Sequence, residues 1–72
     1  MNALPWGLLW YDSGPRPLED KVEDASRRYQ EKYGEQPTVC FVRDTQGIQD
    51  VGKCEIVSDG AVLEHHLWIG VA

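Results

Sequence analysis

The chain has 72 residues, with twelve Asp and Glu against seven Lys and Arg and a formal net charge of −5; a single small acidic domain of this size buries a modest share of its surface and has a thin stability margin. Its longest basic run is the pair Arg27-Arg28, which argues against binding to a nucleic-acid backbone, because that needs clustered cations to displace condensed counterions. No stretch approaches the roughly eighteen continuous apolar residues that cross a membrane, and the opening MNALPWGLLW, with Pro5 and Gly7 inside it and no cation before it, does not read as a signal peptide.

A cytoplasmic location follows as the expectation, with Cys40 and Cys54 reduced. Residues 1–17 are rich in aromatic residues and Pro. LLWYD, residues 8–12, has the make-up of a short strand, and DSGPRP that of a turn. A disordered tail would leave Trp6, Trp10 and Tyr11 in water, so these side chains are expected to cover the edge of the core or to face a partner.

Residues 18–33 carry the clearest pattern. Leu18, Val22, Ala25, Tyr29 and Tyr33 recur at steps of four and three, which lines them along one face of a helix. Pro17 suits the first turn, Glu19 and Asp20 lie where the helix dipole favours anions, and Gly34 followed by Pro37 supplies a stop. Glu23 with Arg27 and Asp24 with Arg28 are acid-before-base pairs four apart, on a face expected to be solvated.

Strands are expected within residues 38–71. TVCFVR is apolar on both faces, Val39 and Phe41 on one and Cys40 and Val42 on the other, as in a central strand. DTQGIQDVG reads as a mobile loop. KCEIV alternates, so Cys54 and Ile56 face the core and Lys53 and Glu55 face water, and the SDG that follows signals a tight turn leading by a hairpin or a longer return to HLWIGV. In that last strand Leu67, Ile69 and Val71 share one face, and His66, Trp68 and Gly70 the other.

These elements add up to an α+β fold, one amphipathic helix packed on a small, mostly antiparallel sheet of three to four strands. ASRRYQEKYGEQPTVCFV, residues 25–42, and VLEHHLWIGV, residues 62–71, resemble a group of short bacterial proteins, some from mobile-element or phage-like contexts. The shared features are a helix ending in Tyr-x-x-x-Tyr-Gly, a Pro, an apolar strand and a final His-Leu-Trp-Ile-Gly strand. The resemblance implies a fold and carries no activity with it.

No catalytic constellation emerges, and no reaction is assigned. Trp6, Trp10, Tyr11 and Trp68 are more large anchors than a thin core requires, so the expected function is a protein–protein interaction module or accessory subunit whose partner is another protein or a second copy. The alternative is a small metal- or ligand-binding protein, with zinc held by Cys40, Cys54, His65 and His66. The spacing opposes it, because zinc ligands usually come in close pairs while the two cysteines are fourteen residues apart. Adjacent residues of a strand also point to opposite faces, so both histidines can ligate one ion only from a loop.

Overall fold

The computed structural model describes residues 7–72. Strand β1 (Leu8–Tyr11) leads through the Gly-Pro turn into helix α1 (Leu18–Tyr33), followed by β2 (Val39–Val42), the two-residue β3 (Asp50–Val51), β4 (Cys54–Ser58) and β5 (His66–Gly70). The five strands form one sheet in the order β1-β5-β2-β4-β3. Pairing is antiparallel everywhere except between β2 and β4, which run parallel. The α+β architecture is as the patterning implies, with five strands in place of three to four. Trp6 lies outside the described residues.

Helix α1 starts after Pro17, whose carbonyl accepts the N–H groups of Asp20 and Lys21 and whose φ of −60° and ψ of 157° set the chain's entry. Pro17 thus stands just before the helix and not in its first turn. The helix stops at Gly34, which takes a left-handed φ of 70° and donates its N–H to the Gln30 carbonyl at 2.8 Å; glycine adopts this conformation without the Cβ clash that other residues meet. Leu18, Val22, Ala25 and Tyr29 are buried as their spacing requires. Arg27 pairs with Asp24 at 2.6 Å and Arg28 with Glu31 at 3.5 Å, both three apart, in place of the expected pairs at four. Asp24 is turned instead toward Arg16, which also holds Asp12 at 2.9 Å.

One face of the sheet receives the helix. The core joins Leu18, Val22, Ala25 and Tyr29 to Cys40 and Val42 of β2, Cys54 and Ile56 of β4, and Leu67 and Ile69 of β5, with Leu8 and Trp10 of β1 packed against it. These sheet residues sit at alternate positions, in register: Leu8 opposite Ile69, Ile69 opposite Cys40, Cys40 opposite Ile56.

One connection differs from the expected one, and a second takes the longer of its two expected returns. The loop after β2 contains β3, paired with β4 across a Gly52-Lys53 turn, and Ile48 of the same loop packs on the core. The SDG turn forms, with Asp59 accepting from Ala61 through its carboxylate and from Val62 through its carbonyl, but it does not make a hairpin. Strand β2 lies between β4 and β5, so residues 59–65 cross the end of β2, tied there by the Asp59 N–H on the Val42 carbonyl at 2.7 Å. Among the described residues no helix is long and apolar enough to cross a membrane.

Candidate functional site

The sheet has a second face, which α1 does not cover. Strand alternation places Leu9 and Tyr11 of β1, His66 and Trp68 of β5, Phe41 of β2, and Glu55 and Val57 of β4 on it. Leu9 stands opposite Trp68, Trp68 opposite Phe41, and Phe41 opposite Val57, so four apolar side chains form one straight row across four strands. Tyr11 lies beside this row, its ring 5.0 Å from that of His66.

The crossing segment after β4 borders the row. Its Val62 is buried, while Leu63 is 64% exposed, and with Ala61 they wall a hollow of about 370 Å³ floored by Leu9, Phe41 and Trp68. Asp59 and His66 contribute the polar groups of the lining. Leu9 and Tyr11 are 59% and 61% exposed, so the largest exposed apolar side chains of the described chain are all at this face or its border. A hollow lined by apolar groups with a few polar ones at its edge is the ordinary form of a binding site, and contiguous exposed apolar surface is the ordinary mark of a contact surface.

The candidate residues divide between the two faces. Tyr11 and Trp68 are on the open face. Trp10 is on the other, half-buried against the helix side of the sheet, with its indole N–H buried and without a hydrogen-bond partner among the described residues. Leu9, Phe41, Val57 and Leu63 were not among the candidates. Their signal was present in part: once Trp10 is inward, period two sends Leu9 outward with Tyr11.

The cysteines and histidines are not brought together. Cys40 and Cys54 are free thiols buried on the helix side, and the Cys54 thiol donates to the Pro37 carbonyl at 3.3 Å. Burial pushes the Cys40 thiol up to about 12, with Cys54 adding to the rise. Burial also raises Cys54, against the Ser26 hydroxyl, which works the other way. Thiols held neutral in this way are poor nucleophiles at neutral pH. His66 is on the opposite side of the sheet, and His65 precedes it in the turn.

The histidine pair turns the chain into β5. His65 has a left-handed φ of 65° and its carbonyl accepts the Asp12 N–H at 3.0 Å. The His66 N–H donates to the Leu63 carbonyl at 3.1 Å, and its ring Nδ1 is 2.9 Å from the Glu64 carbonyl oxygen. Among the described residues no three His, Cys, Asp or Glu side chains gather in a metal-binding group.

Comparison with protein-family models, with curated proteins and with solved structures yields no match to this chain.

Proposed function

We propose that this protein is a protein-interaction module whose contact surface is the open face of its sheet. The observation that carries the reading is the row Leu9, Trp68, Phe41 and Val57, continued by Tyr11 and bordered by Leu63. In a sheet with one solvated face, that face is usually polar. Here it holds large apolar groups, whose burial is worth about 25 cal/mol per Å² once a partner excludes water from them.

The test compares capture of partners from host lysate by three forms of the full chain: unaltered, Leu9→Glu with Leu63→Glu, and Arg28→Glu on the helix surface. All three substituted side chains are exposed, so folding is retained. A partner held by the first and third forms and lost by the second supports the reading. Loss from the third alone, or equal capture by all three, refutes it.

A further inference from the structure

The two sides of the molecule differ in charge as well as in polarity. All seven Lys and Arg of the chain associate with the helix side. Arg16 holds Asp12 and Asp24, Lys21 donates to the Asp12 carbonyl at 2.9 Å, and Arg27 and Arg28 pair with Asp24 and Glu31. Lys32 lies 5.5 Å from the centre of the Tyr33 ring. Arg43 lines a groove with Pro17, Leu18 and Lys21, and Lys53 lines another with Glu23 and Ser26.

The helix side also holds Asp12, Glu19, Asp20, Glu23, Asp24 and Glu31, so its charges roughly cancel, whereas the open face carries carboxylates without balancing cations. Asp50 of β3 and Glu55 of β4 are directly opposite each other, both exposed, and Asp59 lines the hollow. Like charges directly opposite on a sheet face cost stability, and no salt bridge is formed by any of these three carboxylates among the described residues. The apolar row therefore ends in a carboxylate-bearing margin with no cation of its own.

From this segregation we infer that the occupant of the open face is a segment of another protein that presents a bulky apolar anchor flanked by Lys or Arg. The inference rests on the interaction reading above and adds the chemistry of the partner. The anchor fills the hollow between Leu9 and Leu63, and the flanking cations meet Asp50, Glu55 and Asp59. Complementary charge of this kind sets which partner binds and how fast it arrives. A second copy meeting this one face to face is a poor occupant, because its open face brings further carboxylates and no Lys or Arg to pair with Asp50, Glu55 and Asp59. An anionic membrane surface is repelled for the same reason.

The experiment displays random peptides around a central Leu, Phe or Trp against the immobilised full chain, and counts the flanking charges among the binders. Enrichment of Lys and Arg is expected, with binding that weakens at least tenfold in the Asp50→Lys, Glu55→Lys variant and weakens as salt is added. Binders with neutral or acidic flanks, lost in Leu9→Glu with Leu63→Glu, overturn the charge inference while leaving the interaction reading intact. Absence of any binder that depends on Leu9 and Leu63 overturns both. Sedimentation velocity and co-sedimentation with phosphatidylserine vesicles complete the set: a dimer broken by Leu63→Glu, or vesicle binding by the full chain, overturns the inference in favour of a second copy or a lipid surface.

Discussion

Phe41 and Trp68 face each other directly across β2 and β5, on the side of the sheet that α1 leaves bare. One position further along the same strands, Cys40 and Ile69 face each other on the side that α1 covers. The sheet thus has an apolar centre on both faces, and only one helix to cover them.

This two-sidedness predicts different penalties for similar side chains. Ile69 is fully buried, and Ile69→Val should cost about 0.5–1.5 kcal/mol through lost packing. Leu9→Glu, at an exposed position on the other face, should stay within about 0.5 kcal/mol of the parent. Urea unfolding of the two variants beside the parent checks the contrast; an equal and large loss from Leu9→Glu would show that the open face is closed within the chain itself.

The buried thiols predict a decline in stability on the alkaline side. In the folded chain burial raises the Cys40 pKa from an ordinary 9.0 to about 12. The unfolded chain therefore releases the proton first. The contribution is complete below pH 9 and is lost as pH rises through the window to about 12. Tyr29, also raised by burial, acts with the same sign. Stability measured from pH 7 to 11 should fall less steeply in Cys40→Ala than in the parent, and Cys40 should resist a thiol reagent at pH 7.5 until the chain is unfolded.

Arg16 predicts the behaviour in acid. Its hydrogen bonds are the largest cause lowering the pKa of Asp12, helped by the Gly14 N–H, and the largest cause lowering that of Asp24. A carboxylate with a depressed folded-state pKa contributes stability above its unfolded value, 3.8 here, and loses it as pH falls through the folded value. Arg16→Ala should therefore be less stable than the parent at pH 7, by the small amount typical of exposed ion pairs. The difference should shrink toward pH 2, as denaturant midpoints at the two pH values would report.

The end of the helix makes a purely conformational prediction. A Cβ at Gly34 meets nothing within 4 Å, yet φ is +70°. Gly34→Ala should cost about 1–2 kcal/mol from the left-handed backbone alone. Gly60 is equally open and is not left-handed, so Gly60→Ala should be close to neutral. Thermal melts of the pair separate backbone strain from crowding.

The helix and the faces of β4 and β5 were legible because each depends on neighbours a few residues away. Steps of three and four marked Leu18 through Tyr29, and period two placed Cys54 and Ile56 inward and sorted Leu67 and Ile69 from His66 and Trp68. The two-residue β3 was read as loop, since Asp50 and Val51 are too few to show a period. The candidate site was half legible: Tyr11 and Trp68 were named from their size, but size put Trp10 with them, and Leu9, Phe41, Val57 and Leu63 were not singled out.

By itself the sequence determined one helix, its inward stripe, the alternation of β4 and β5 and a net acidity with no basic cluster. The tertiary structure alone decided the strand order, the parallel pairing of β2 with β4 and the passage of residues 59–65 over the end of β2, because these join residues far apart along the chain. It also decided which face of β2 became the core. Val39 and Phe41 are as apolar as Cys40 and Val42, and a local pattern cannot rank two apolar faces. The single helix settles it by packing on one of them, which leaves Phe41 and Trp68 half-buried on the other, beside the buried Val39.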